Sequence, residues 1–204
     1  MTNVVLVRHG ETVWHKENRY AGTSDIALTP RGQRQAEGLA GWARGADLVG
    51  IWSSTLGRAR ETAAACADVT GLAAREDKRL VELGFGDAEG LTQAEMADRF
   101  PDAVAAFRAD PVAGHLPGGE DPHAAARRGV DALRDICAEH PSGRVLVVAH
   151  STLIRLVLCS LIGLPLSSYR RLFPFVRNCG LTEIRLDDAG VALLEFNTPI
   201  DPPS

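Results

Sequence analysis

Two short apolar runs, each followed by a histidine, constrain the fold of this chain more than any other feature. Residues 4–7 read Val-Val-Leu-Val before Arg8 and His9, and residues 145–149 read Val-Leu-Val-Val-Ala before His150. Uninterrupted β-branched runs of this length are typical of strands buried on both faces of a parallel sheet. Because ligands bind where the carboxyl ends of such strands meet the loops, two histidines and an arginine there indicate a site for an anion.

Helical and extended patterns alternate along the chain, and this alternation predicts a layered α/β domain with a mostly parallel sheet. The predicted strands cover about residues 3–8, 48–53, 72–76, 145–149, 181–186 and 191–196. The predicted long helices cover about residues 30–43, 56–69 and 122–139, and another helix begins at Ser151. The last two strands are separated only by Asp-Asp-Ala-Gly at 187–190, so we expect a hairpin and an antiparallel sheet edge.

The pattern loosens between Leu80 and Gly119, where a glycine-rich loop is followed by two short helices. The capping pair Thr92 and Glu95 opens the first of these helices, and the second lies near Ala103. We interpret about residues 83–119 as a small cap inserted over the sheet of a single domain that spans residues 1–204. Insertions of this kind often carry specificity, because they vary without disturbing the core.

Composition and hydropathy weigh against several functional classes. The formal net charge of -4 provides no basic surface for nucleic acid or an anionic membrane. The most apolar later stretch, residues 153–166, is interrupted by Arg155 and is too short to span a bilayer. No secretory signal precedes the first strand, and the four cysteines lack C-x-x-C spacing, which indicates reduced thiols. We therefore expect a cytoplasmic protein; the sequence leaves a homodimer open.

Four sequence elements carry the functional prediction. Arg8-His9-Gly10 follows the first strand, and residues 53–62, Ser-Ser-Thr-Leu-Gly-Arg-Ala-Arg-Glu-Thr, place Arg58 in the first turn of a helix. A glycine-rich loop carries Glu82, and His150 stands at the start of the last long helix. In this order the four elements resemble the histidine phosphatase superfamily, also called the phosphoglycerate mutase-like family, and the resemblance covers nearly the whole chain.

The resemblance implies a role for each matched residue. His9 matches the nucleophile that becomes a phosphohistidine, and Glu82 matches the general acid, with Glu11 and Glu89 as nearby alternatives. The residues matched to the clamp around the phosphate oxygens are Arg8, Arg58 and His150. The family fold is a three-layer α/β/α sandwich, and its chemistry requires neither a metal nor an organic cofactor. Phosphoryl transfer demands positioning and charge stabilisation, and neighbouring cations also help to keep His9 unprotonated.

Other matched positions carry a weaker signal. Residues 14–22 resemble the family's substrate-contacting loop, in which His15 replaces the usual asparagine and the backbone of Ala21 and Gly22 approaches the phosphate. Ser151 follows the second histidine where the family usually has glycine. Its hydroxyl either donates to the substrate or caps the helix, and capping is the commoner use of a serine at such a position.

Hydrolysis of a small phosphorylated metabolite is the favoured prediction. Mutases of the family are typically longer, with paired arginines in the cap and an acid loop that reads Glu-Arg-His-Tyr-Gly. Here the cap carries only Arg99 and Arg108, and the loop from Glu82 reads Glu-Leu-Gly-Phe-Gly. A cofactor-dependent phosphoglycerate mutase remains the alternative, as does a phosphatase or binding module directed at phosphoproteins. A metalloenzyme using His9, Glu11 and His150 is a more remote alternative.

Overall fold

The described part of the chain forms one six-stranded sheet. The computed structural model describes residues 1–187 and 190–200. Its strands are β1 (Thr2–Arg8), β2 (Leu48–Ser53), β3 (Ala74–Glu76), β4 (Gly143–Ala149), β5 (Leu181–Asp187) and β6 (Gly190–Thr198). They lie in the order β3-β2-β4-β1-β5-β6. The first four of these are mutually parallel, whereas β5 pairs antiparallel with both β1 and β6, as predicted.

Seven α-helices and four short 3-10 helices connect the strands within the described residues. The α-helices are α1 (Pro30–Ala43), α2 (Gly57–Thr70), α3 (Gln93–Arg99), α4 (Pro101–Ala109), α5 (Pro122–Glu139), α6 (Ser151–Leu161) and α7 (Tyr169–Leu172). The 3-10 helices are Val13–His15, Lys78–Leu80, Gly86–Ala88 and Leu166–Ser168.

The sheet is the middle layer of a three-layer sandwich. Alternate residues of a strand face opposite sides, so Val5 and Val7 of β1 pack with α1 and α2, for example against Leu39. Val4 and Leu6 share the other core with α5, α6 and the cap helices α3 and α4. The fold class predicted from the sequence is therefore confirmed, and each core includes residues from one face of β1 and β4.

Local capping signals fix several helix starts. The Thr29 hydroxyl accepts a hydrogen bond from the backbone N–H of Gly32, and Pro30 occupies the first turn of α1. Asp121 caps α5 in the same way, and this helix has the predicted bounds. Both bonds of the predicted Thr92 capping box at α3 are present. These helices begin where their own sequence provides an acceptor for an otherwise unpaired N–H group.

The third strand is present and ends at the predicted residue, but it is shorter than predicted. β3 begins at Ala74 rather than Leu72, because α2 continues to Thr70 and ends at Gly71, whose φ of +73° turns the chain. Leu72 instead packs partly buried against the α1–α2 core, whereas all three residues of β3 are exposed. At the predicted hairpin, β5 and β6 pair as expected, and Asp188 and Ala189 lie outside the described residues.

Two further sequence expectations concern the helices and the cysteines. Across the described ranges, no helix is both long enough and apolar enough to cross a membrane. Cys66, Cys137, Cys159 and Cys179 are all free thiols, as predicted. Burial raises the pKa of Cys66 to about 12, so this thiol stays protonated and unreactive at neutral pH.

Candidate active site

A cavity of about 600 Å³ opens at the carboxyl ends of the central strands. Its lining includes Arg8 and His9 after β1, Arg58 in the first turn of α2, and the loop residue Glu82. His150, which follows β4, is fully buried next to the His9 ring, with 5.1 Å between the two ring centroids. The structure therefore brings together the five residues that the sequence matched to catalytic positions.

The hydrogen bonds of His9 leave one ring nitrogen with a lone pair. Its Nδ1 lies 2.7 Å from the carbonyl oxygen of Gly10, an acceptor, so Nδ1 carries the proton. Nε2 then accepts a hydrogen bond of 3.2 Å from Nε of Arg58. Burial holds the pKa of His9 well below its usual value, and His150, Arg8 and Arg58 lower it further. His9 is therefore a neutral imidazole whose Nε2 is available as a nucleophile.

Arg58 is buried and held in place by the loop that follows the first histidine. Nη1 donates to the carbonyl of Ser24 at 2.7 Å, and Nη2 donates to the carbonyl of Gly22 at 2.8 Å. A guanidinium has five N–H donors. Because these two bonds and the one to His9 occupy three of them, two remain for other acceptors. Arg58 is only 1% exposed, so its charge belongs to the site and not to the surface of the helix.

Arg8 and His15 form a second pair at the cavity. Nη1 of Arg8 donates to the carbonyl of Val176 at 2.8 Å, and Nη2 lies 2.6 Å from Nε2 of His15. The other ring nitrogen of His15 lies 3.0 Å from the backbone nitrogen of Thr12. Burial and the Arg8 charge lower the pKa of His15 to about 4. His15 is thus neutral at physiological pH and lines the cavity where the family usually has asparagine.

Ser54 forms a hydrogen bond with the ring of His150. The Ser54 oxygen accepts a hydrogen bond from the backbone N–H of Leu56 at 3.2 Å and lies 2.7 Å from Nε2 of His150. A serine hydroxyl can donate one hydrogen bond and accept two, so this contact fits either tautomer of the imidazole. Nδ1, the other ring nitrogen of His150, is buried and has no partner among the described residues. Burial and the nearby charges of Arg58 and Arg8 keep the pKa of His150 well below its usual value.

Glu82 is held at the start of α6 by three backbone donors. One oxygen accepts from Thr152 at 3.0 Å, and the other accepts from Leu153 at 2.9 Å and Leu83 at 2.8 Å. The first N–H groups of a helix lack partners within the helix, and the two oxygens of Glu82 accept the hydrogen bonds of Thr152 and Leu153 here. Arg128 of α5 supports the loop, because it donates to the Glu82 carbonyl at 3.0 Å.

The weaker predicted positions have distinct outcomes. Ser151 does not cap α6: His150 is the cap residue, and Glu82 satisfies the first N–H groups instead. The Ser151 hydroxyl accepts from Arg155 at 2.7 Å and lines the cavity. Ala21 and Gly22 also line it, and the carbonyl of Gly22 is used to orient Arg58. Gly22 has a φ of +48°, and a Cβ there would meet Glu89, so only glycine fits.

The alternative acids occupy other positions. Glu89 accepts hydrogen bonds from Thr23, Ser24 and Phe85 and joins two loops, and these bonds lower its pKa. Glu11 accepts from the Thr29 hydroxyl at 3.0 Å. Neither carboxylate lines the cavity, whereas Glu82 does. Within residues 1–187 and 190–200, no group of three or more His, Cys, Asp or Glu side chains is arranged to hold a metal ion.

Several residues of this region carried no usable signal in the sequence. Ser54 was visible only as part of the second motif, and Arg128 was one of many helix-surface arginines until the structure placed it under Glu82. Arg155 and Arg170 both line the cavity. The sequence offered one clue to the position of Arg155. It follows Ser151 by four residues, and residues at that spacing lie on the same helix face.

Comparison with known proteins identifies the family. The model of the histidine phosphatase superfamily (branch 1) matches residues 4–199. The chain therefore belongs to this superfamily, as the four motifs predicted.

Individual relatives within the family carry both phosphatase and mutase names. A probable phosphoglycerate mutase GpmB of Yersinia enterocolitica is 37% identical over 185 residues, which span 90% of this chain and 85% of that protein. The solved structure of Bacillus stearothermophilus YhfR matches with a TM-score of 0.92 and 29% identity, covering 98% of each chain. A mycobacterial glucosyl-3-phosphoglycerate phosphatase matches with a TM-score of 0.88 and 29% identity, covering 97% of this chain and 99% of the other. The family and its phosphatase neighbours are consistent with phosphatase activity.

Proposed function

We propose that this chain is a phosphatase that hydrolyses a small phosphorylated metabolite through a phosphohistidine on His9, without a metal ion. The observation that carries the proposal is the neutral His9 imidazole, whose Nε2 lone pair lies among the guanidinium groups of Arg8 and Arg58. A nucleophile surrounded by fixed cations is what transfer of a phosphoryl dianion requires, because the negative charge must be held throughout.

Two buried nitrogen atoms support the same reading of the cavity. Nε of Arg8 and Nδ1 of His150 have no hydrogen-bond partner in the described part of the chain. An unpaired buried polar group costs about 1–3 kcal/mol, so such groups are normally satisfied. In the His150 tautomer with its proton on Nδ1, phosphate oxygens bound next to His9 would satisfy both atoms, together with the two spare donors of Arg58.

In the first step, Nε2 of His9 attacks the phosphorus atom of the ester. A P–N bond forms while the bond from phosphorus to the ester oxygen breaks. Glu82 donates its proton to the departing oxygen, so the product leaves as a neutral alcohol. The three backbone donors on Glu82 fix its position and leave one acceptor site free for this proton.

In the second step, the Glu82 carboxylate removes a proton from a water molecule. The water oxygen attacks phosphorus, the P–N bond breaks, and inorganic phosphate leaves. Glu82 is then protonated again and His9 is again neutral, so one turnover restores both groups. Arg8, Arg58 and His150 hold the phosphoryl oxygens during both transfers.

The second candidate function is a phosphoglycerate mutase, which returns the phosphoryl group to another hydroxyl. The names of the Yersinia relatives favour it. Against it, neither Arg99 nor Arg108 of the cap lines the cavity, and Arg99 lies over the Phe100 ring at 5.6 Å. The cap therefore offers the cavity no pair of arginines of the kind that mutases of the family carry, and we favour transfer to water.

A direct comparison of the two activities tests this proposal. Purified protein is given a panel of metabolite phosphates with excess chelator, and released phosphate is measured. In parallel, interconversion of 3- and 2-phosphoglycerate is followed with a bisphosphoglycerate primer. We expect phosphate release that survives the chelator and exceeds any interconversion. Interconversion faster than release would establish the mutase, and loss of activity with the chelator would contradict a metal-independent reaction.

A further inference from the structure

We propose that the cavity contains a second anion-binding subsite, formed by Arg155 and Arg170, which takes another anionic group of the same substrate. This proposal rests on the proposed function and narrows the substrate to phosphate esters that also carry a carboxylate or a second phosphate.

The two arginines reach the cavity from adjoining elements. Arg155 lies one helical turn after Ser151 on α6, and Arg170 lies on α7, which packs against α6. Both side chains line the same cavity as His9. Neither belongs to the group that surrounds His9, which already uses Arg8, Arg58 and His150. The second pair is therefore additional positive charge beyond what one phosphate needs.

Arg155 is a partly buried cation that forms no ion pair with a carboxylate of the described residues. Its Nη2 donates to the Ser151 hydroxyl, but its buried Nε has no partner in the described ranges. Burial lowers the pKa of Arg155, which reports the cost of removing this charge from water, and Glu82 offsets that cost only in part. A buried guanidinium is ordinarily paired with an anion, as Arg128 is with Glu120 at 2.7 Å.

Arg170 is held in place by aromatic side chains. Its guanidinium carbon lies 5.0 Å from the centre of the Phe107 ring. The phenol groups of Tyr20 and Tyr169 lie next to it and raise its pKa, although partial burial acts in the opposite direction. Tyr20 in turn packs edge-on against Phe85 at 4.9 Å, so this wall is preorganised. The Arg170 guanidinium is thus fixed at the cavity without being neutralised.

The balance of charge around the cavity points to the same conclusion. Five arginines line it, and of these five only Arg19 forms ion pairs with carboxylates of the described residues, namely Glu17 and Glu95. Glu82 is the acid whose charge acts on Arg8, Arg58 and Arg155 together, and Arg170 has the phenol groups of Tyr20 and Tyr169 beside it. A phosphate dianion held by Arg8 and Arg58 leaves the charges of Arg155 and Arg170 unmatched. A carboxylate or a second phosphate on the substrate would match them with charge-assisted hydrogen bonds.

Two pairs of esters that differ in one anionic group test the subsite. 3-Phosphoglycerate is compared with glycerol 3-phosphate, and propane-1,3-diol bisphosphate with 3-hydroxypropyl phosphate, at constant ionic strength. We expect kcat/KM to favour, in at least one pair, the member that carries the second anionic group. Which pair shows the preference distinguishes a carboxylate from a second phosphate. Arg155→Gln and Arg170→Gln are each expected to reduce that preference by about tenfold to a hundredfold.

The controls separate this subsite from general charge and from the chemistry itself. Arg171 is exposed, follows Arg170 on α7 and does not line the cavity, so Arg171→Gln should leave the preference unchanged. Thermal unfolding of Arg155→Gln and Arg170→Gln, followed by circular dichroism and compared with the parent protein, shows that both variants are folded. Equal use of both members of each pair, or a preference that survives both substitutions, would overturn the subsite. If even p-nitrophenyl phosphate is not hydrolysed, the proposed function fails instead.

Discussion

Replacing His9 by alanine should reduce turnover below detection, a loss of about 10⁵-fold or more, as expected when a covalent nucleophile is removed. The reason is that no other group in the cavity offers a lone pair in the same place. His150 is fully buried beside His9, with Nε2 next to the Ser54 hydroxyl. His15 has Nε2 next to Arg8. Phosphate release from the best substrate of the panel measures the loss.

The control for this variant is a histidine of similar chemistry outside the cavity. His123 is exposed in the first turn of α5, so His123→Ala should retain full activity. Binding of inorganic phosphate to His9→Ala, followed by calorimetry, should persist because Arg8, Arg58 and His150 remain. Near-normal turnover in His9→Ala would remove His9 from the role of nucleophile.

Replacing Glu82 by glutamine should slow hydrolysis of alkyl phosphates by about 10²- to 10⁴-fold, the usual contribution of general acid–base catalysis. The substitution also places an amide NH₂ opposite backbone N–H donors that now meet carboxylate oxygens. Some loss of thermal stability is therefore expected from the lost hydrogen bond, and activity alone does not separate the two effects. The dependence of the rate on the leaving group separates the loss of acid catalysis from the loss of stability.

The rate of hydrolysis should fall much less for an ester whose leaving group departs without a proton. Single-turnover release of p-nitrophenolate from p-nitrophenyl phosphate is expected to be much less impaired in Glu82→Gln than release of an alkyl alcohol. Glu11→Gln serves as the matched control, because Glu11 does not line the cavity and should leave both rates unchanged. Equal slowing of both leaving groups would show that Glu82 acts only by supporting the structure.

Most of the fold was predictable because its signals are local. The β-branched runs of β1 and β4 are buried on both faces, and their patterns are too apolar to be loops. α5 carries Asp121 and Pro122 at its start, so its bounds followed from capping chemistry. Only the start of β3 was misplaced, because its three residues are all exposed at a sheet edge, where no periodic pattern marks the boundary between strand and loop.

The site was predictable where its residues stand in motifs and not where tertiary contacts decide. His9, Arg58 and His150 follow strands or begin helices, and the sheet necessarily gathers such positions at one edge. The cap of α6 was missed because its acceptor, Glu82, is distant in sequence from Ser151. The position of Arg155 in the cavity was equally hard to predict from the sequence. The chain has 20 arginines among 22 basic residues, and only packing reveals which of them lacks a carboxylate.

The central claim is that His9 carries the phosphoryl group during turnover, and trapping that group tests it most directly. The protein is mixed in excess with ³²P-labelled p-nitrophenyl phosphate, quenched in alkaline detergent, and digested to locate the label. We expect alkali-stable, acid-labile label on the peptide that contains His9, accumulating further in Glu82→Gln, where water attack is slowed, and absent from His9→Ala. Release of phosphate within one turnover without any protein-bound label, or with the label on another residue, would contradict the account.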